Sequence, residues 1–316
     1  MGATLIRTAM VLAAGLWLAA CEPAPVPPAA EDAASNQAAP PRPAPPTQSA
    51  RSLELSAYYR RVEAGLVAQG LLRRDGGGPD TPFDARILAE NFERIALYEE
   101  YSERAGRLIA REAPINLHRW EIPVVMRVEF GETVPITQRG KDVATVATYA
   151  ARLARASRHP ISMSDRGANF HIFILNEDER LQLAPRLRQL LPGISPATLD
   201  SAIRMDRSTF CAVLASDPGD DGAYTHAVAI IRGEHPDLLR LSCLHEELAQ
   251  GLGLANDSAA ARPSIFNDDE EFATLTRHDE MLLRILYDPR LSAGMERTIA
   301  RDLAREIAAE LMGGES

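Results

Sequence analysis

The stretch His245-Glu246-Glu247-Leu248-Ala249-Gln250-Gly251-Leu252-Gly253-Leu254-Ala255-Asn256-Asp257 carries side chains that could hold a metal or move a proton. His245-Glu246 begins like a zinc helix of the form HExxH, but position i+4 is Ala249, which offers no ligand. One residue later, Glu246-Glu247-x-x-Gln250-x-x-Gly253-x-x-Asn256 keeps every spacing of the extended motif HExxHxxGxxH with all three histidines replaced. The spacing has a physical meaning: residues i and i+4 share a helix face, and a glycine three residues on lets the chain reverse. Glu246, Gln250 and Asn256 are therefore expected to converge on one cleft as binding residues. Zinc favours imidazole and thiolate, whereas this trio offers one carboxylate and two neutral carbonyls, so no metal and no cofactor are expected. Glu247 is the candidate catalytic group, as a general base or as a ligand to a hard cation. Taken alone, two acids and an amide on a helix are an ordinary solvated face.

Other chemistry finds little support. The histidines at 118, 159, 171, 226, 235, 245 and 278 include no pair at i+2 to i+4 spacing, so no local zinc pair exists. There is no Gly-x-Ser-x-Gly elbow, phosphate loop or dinucleotide glycine motif. With 34 Lys plus Arg against 44 Asp plus Glu, a net charge of −10, the chain is no nucleic-acid binder. Trp120, ahead of a strand, reads as a packing anchor.

The amino-terminal end points to a compartment. Arg7 and the apolar run Thr8 to Ala20 have the form of a signal peptide, too short to span a bilayer comfortably. Its end, Leu18-Ala19-Ala20-Cys21, resembles the lipobox of bacterial lipoproteins, which implies cleavage before Cys21, acylation of that residue and anchoring to an envelope membrane, facing the periplasm in a Gram-negative cell. From Cys21 to Arg51 the chain is a Pro/Ala-rich tether, with nine prolines between Glu22 and Ala50. Only Cys211 and Cys243 then remain, and in an oxidising compartment they are expected to pair.

The elements that must position these residues follow from periodicity. Leu53 to Leu72 reads as a helix ended by a flexible joint at Asp75-Gly76-Gly77-Gly78-Pro79, so that residues 52–80 stand ahead of the main domain at 81–316. Asp84 onward is helical and turns to strand near Ile95 to Tyr101. Ile122 to Phe130, Asn169 to Leu175, Phe210 to Ala215 and Tyr224 to Ile231 read as strands, the last two as neighbours across a turn. Helices are expected at Asp142 to Ala156, Glu177 to Leu191, Pro236 to Leu252, Arg277 to Tyr287 and Met295 to Met312. The order is that of a mixed α+β domain.

Two resemblances follow. Pro263-Ser264-Ile265-Phe266-Asn267 stands where metzincin metalloproteases carry a tight turn with Met beneath the metal, and Leu275-Thr276-x-x-Asp279-x-x-Leu282-Leu283-x-x-Leu286-Tyr287 is similar to the C-terminal helix of matrixin-type members. This implies a metzincin-like mixed sheet with an active-site-type helix and C-terminal helices, and Phe266 as the hydrophobic floor of the binding site. Cys243-Leu244-x-Glu246-Glu247-x-x-Gln250-x-Leu252-Gly253-Leu254-x-Asn256-Asp257, with Ser264-Ile265-Phe266-Asn267-Asp268 and Leu286-Tyr287-Asp288-Pro289-Arg290-Leu291, resembles a bacterial lipoprotein family known as domain of unknown function 2927. That resemblance implies no reaction.

The function expected from these features is a pseudoenzyme: an anchored, metal-free cleft holding a peptide, protein or cell-wall polymer. A hydrolase using Glu247, and a structural envelope-assembly lipoprotein, are the alternatives.

Overall fold

The computed structural model describes residues 46–104, 107–267 and 269–313, with the side chains of 100–111 left aside. Helix α1 (Ala50–Ala68) starts at Ser49, whose Oγ accepts the Ser52 N–H, and α2 (Ala85–Ala96) at Asp84, whose carboxylate accepts the Ile87 N–H at 2.7 Å. β1 (Tyr98–Arg104) and β2 (Arg107–Pro114) form an antiparallel hairpin. Next come β3 (Arg119–Trp120), β4 (Val124–Phe130), α3 (Ile136–Ser157), β5 (Ile161–Met163) and β6 (Phe170–Leu175). The short helices α4 (Glu177–Arg180), α5 (Ala184–Leu190) and α6 (Pro196–Ile203) lead to β7 (Cys211–Ser216), β8 (Ala223–Tyr224) and β9 (His226–Arg232). The chain then forms α7 (Asp237–Gln250), α8 (Arg277–Leu286) and α9 (Arg297–Leu311).

Five strands make one mixed sheet in the order β5-β4-β6-β9-β7, parallel throughout except for the edge strand β7, which runs antiparallel to β9. The central strands are buried on both faces, which is why they read as unbroken apolar runs. Their residues divide by the two-residue period of a strand. Phe170, Ile172, Ile174, Ala227, Ala229 and Ile231 enter the large core shared with α2, α3, α7, α8 and α9. Phe173, Leu175, Val228 and Ile230 face a second core made by Leu183, Leu187, Leu199 and Met205. The result is a mixed α and β domain with helices over both faces of its sheet.

Several expectations need correcting. The helix expected over Glu177 to Leu191 is two helices, because Pro185 has no N–H to donate and its ring would meet the carbonyl four residues back. β2, β3, β5, β8 and α6 carry too short or too mixed a pattern to have been read. The tether expected to run to residue 51 gives way to helix at Ala50, and the described residues from 46 on fall in one compact unit rather than leaving a helix set apart ahead of residue 81. Tyr59 and Leu55 pack on Leu239, and Glu63 accepts the N–H groups of Leu238 and Leu239 at 3.0 and 2.8 Å. α7 lacks a side-chain cap of its own, so α1 supplies one to its open N–H groups. The expected joint is also fastened: Arg73 pairs with Asp75, Asp80 and Glu271, and the Leu72 and Arg73 N–H groups donate to the Glu270 and Glu271 carbonyls.

Candidate functional site

Helix α7 is two-sided. Cys243, Leu244, Leu248 and Ala249 enter the large core, while Glu246, Glu247 and Gln250 line a cleft of about 910 Å³. The opposite wall is the edge strand, with Cys211, Ala212, Val213, Leu214 and Ala215 lining it in succession. The end of α6, the loop after it through Asp206, Asp257 after α7, and Glu99 of β1 complete the cleft, and β2 packs against α6. A disulfide joins Cys211 to Cys243, the pair expected from the sequence, so the two walls are covalently stapled. The Cys211 sulfur lies with carboxylate oxygens of Glu246 and Glu247 in a group no wider than 4.8 Å. In the disulfide that sulfur is no thiolate ligand, so the group then offers carboxylates alone.

The site residues expected from the motif are only partly brought together. Glu246 is half-buried, Glu247 is buried and Gln250 lies beside them one turn on. Gly253 has φ +121°, and a Cβ there would stand 2.3 Å from the His118 carbonyl, so only glycine fits this passage. Asn256 does not return to Gln250. It is 1% exposed and its Nδ2 donates to the Arg94 carbonyl at 2.8 Å and to Glu112 Oε1 at 3.4 Å, while its N–H donates to the Ile95 carbonyl at 3.0 Å. Those carbonyls end α2, where no helical partner remains, and satisfying them there outweighs any return to the cleft. Asp257, one residue later, takes the place: its Oδ1 accepts from Gln250 Nε2 at 2.8 Å. Phe266 is fully buried in the core that also holds Leu248 and Ala249, and it does not line the cleft.

The rest of the motif serves the scaffold. His245 stacks on Tyr149 with ring centroids 3.8 Å apart, and its Nδ1 accepts the Leu275 N–H at 3.0 Å. Burial, helped by the Arg152 charge, lowers its pKa to about 3, so it is a neutral core group. Asp279 is fully buried and grips the turn at 263–267: its oxygens accept from Ser264 Oγ at 2.6 Å and from the Ile265 N–H at 3.1 Å while also capping α8 at Thr276. Trp120 stacks on Phe170 and donates to the Gly251 carbonyl at 2.8 Å.

Glu99, Asp206 and β7 were not found as cleft residues in the sequence. Nothing local to Glu99 marks it: burial in the fold raises its pKa. Cys21 and the lipobox lie outside the described residues, and among those residues no helix is long and apolar enough to cross a membrane.

No curated protein and no solved structure matches the chain significantly. A family model does match, over residues 85–306, which take in the whole sheet, the cleft and the start of the C-terminal helix. The chain therefore belongs to the family described as "Protein of unknown function (DUF2927)".

Proposed function

We propose that this protein is a lipid-anchored envelope lipoprotein whose metzincin-like domain holds an extended peptide segment along β7 without zinc-dependent hydrolysis. One observation carries the reading: β7 is an edge strand, and five consecutive residues of it line a cleft large enough for a peptide. An edge strand presents unpaired N–H and C=O groups, and an added strand satisfies them with main-chain hydrogen bonds, while pockets for alternate side chains supply selectivity.

Support for the metzincin likeness is the single antiparallel edge strand beside a cleft helix, together with the buried Asp279 that fastens the turn at 263–267. Support for a non-hydrolytic role is the donor set. Gln250 is engaged by Asp257, Asn256 is bonded to the end of α2, and the Cys211 sulfur is bonded to Cys243. The envelope anchor rests on the residues before and at Cys21.

The test of the cleft is selection of short random peptides on the purified protein, followed by hydrogen exchange. Residues 211–216 should gain amide protection with a selected peptide, and N-methylation of alternate peptide bonds should abolish binding. Peptides that protect only other segments would refute strand addition. For the anchor, Cys21→Ser should accumulate as uncleaved precursor; cleavage and release at the wild-type rate would remove the lipoprotein reading.

A further inference from the structure

The cleft beside β7 is more acidic than the chain as a whole. Of its 22 lining residues seven are Asp or Glu and one is Arg, whereas the 316 residues of the chain hold 44 Asp or Glu and 34 Lys or Arg. The net charge of the whole chain therefore does not account for this lining. Arg204, the single cation, is closed onto Asp200 at 2.6 Å. Glu246, Glu247 and Asp257 stand on the α7 side, and Glu99, Asp206 and Glu270 line the remainder. A hydrogen bond such as that from Gln250 to Asp257 leaves the carboxylate charge in place. Helix α7 also brings two of these charges up to the edge strand, since oxygens of Glu246 and Glu247 and the Cys211 sulfur lie within 4.8 Å of one another. A cleft lined by one sign of charge between low-dielectric walls focuses the field and concentrates ligands of the opposite sign.

We infer that the segment held along β7 is cationic, with Lys or Arg at alternate positions and small apolar residues between them. This rests on the strand-addition reading and names the partner chemistry for the same cleft. The alternation follows from the pleat. On β7, Cys211 belongs to the core shared with α7 and Val213 packs against it, while Ala212 and Leu214 pack against the second core, which holds Ala202 and Met205. Side chains of an added strand share the face of their neighbours across the ladder. Those level with Cys211 and Val213 stand on the side of Glu246 and Glu247, where an ammonium or guanidinium meets carboxylates. Those level with Ala212 and Leu214 stand on the side of Ala202 and Met205, where a small apolar side chain fits. Acidic segments are selected against by like-charge repulsion in the same cleft.

Hexapeptides match the six residues of β7, so three of them serve as probes: alternating Lys and Ala, Gln and Ala, and Glu and Ala, each labelled with a fluorophore at the amino end and amidated at the other. Anisotropy titrations use the purified full chain. The Lys/Ala peptide should bind at least about tenfold more tightly than Gln/Ala at about 0.01 M salt, where the Debye length is about 30 Å, and lose that advantage near 1 M, where it is about 3 Å. The Glu/Ala peptide should not bind. Glu246→Gln should weaken the Lys/Ala complex by about two- to fivefold, whereas Glu54→Gln, the same charge change on the exposed side of α1, should leave it unaltered.

The inference is overturned if Lys/Ala binds no better than Gln/Ala, or if the two variants weaken it equally. When residues 211–216 still gain amide protection in those cases, strand addition itself stands and only the charge assignment falls. Lys/Ala binding that leaves 211–216 unprotected removes the strand-addition reading, and this inference with it.

Discussion

Reducing the disulfide should cost the domain several kcal/mol, and the size follows from the loop it closes. Cys211 and Cys243 are 32 residues apart. In the chain-entropy account, closing a loop of that length removes about 12 cal/mol/K from the unfolded chain, or about 3.7 kcal/mol at 25 °C. The native side of the balance should change little, since β7 keeps its ladder to β9 and α7 keeps Leu244, Leu248 and Ala249 in the core. For a domain of this size the loss corresponds to a fall in Tm of about 7–15 °C. The assay is urea unfolding followed by circular dichroism, with and without phosphine, and intact mass to confirm gain of two hydrogens. Equal midpoints with full reduction would show that the staple does not restrict the unfolded chain. An unchanged mass would show that the bond does not form.

Three further outcomes are expected. His245 has a folded pKa of about 3 against an ordinary 6.5, so its contribution is present above pH 6.5 and lost as pH falls toward 3; His245→Asn should flatten the wild-type decline in stability across that window, and identical slopes would refute the assignment. Gly253→Ala should destabilise by about 1–3 kcal/mol or more, because of its φ of +121° and the His118 carbonyl 2.3 Å from the new Cβ; a change under about 0.5 kcal/mol in urea unfolding would contradict the packing there. Glu246→His with Gln250→His should gain zinc affinity when Asp257→His is added and gain none from Asn256→His, as measured by competition with a chromophoric chelator; the opposite order would mean that Asn256 reaches the cleft after all.

Local periodicity was enough for the elements whose two faces differ or are both apolar. The runs at Phe170–Leu175 and His226–Arg232 are strands because β-branched and aromatic residues fill both faces of a sheet, and the caps at Asp84 and Thr276 mark helix starts in the sequence itself. The small number of cysteines was enough to expect the pair at 211 and 243. The family could be recognised from residue patterns spread over the region that its model matches.

What tertiary structure alone decided was the direction of single polar side chains. Motif spacing put Asn256 within reach of Gln250, but it carried no account of the Arg94 and Ile95 carbonyls, left open at the end of a helix about 160 positions earlier in the chain. The same holds for Glu63 capping α7, Glu99 at the cleft and His235 against the disulfide. A periodic pattern encodes which face of an element is apolar, because burial of apolar area is additive and non-directional. Which donor meets which acceptor is set by where two distant backbones end, and that is known only once the chain has folded.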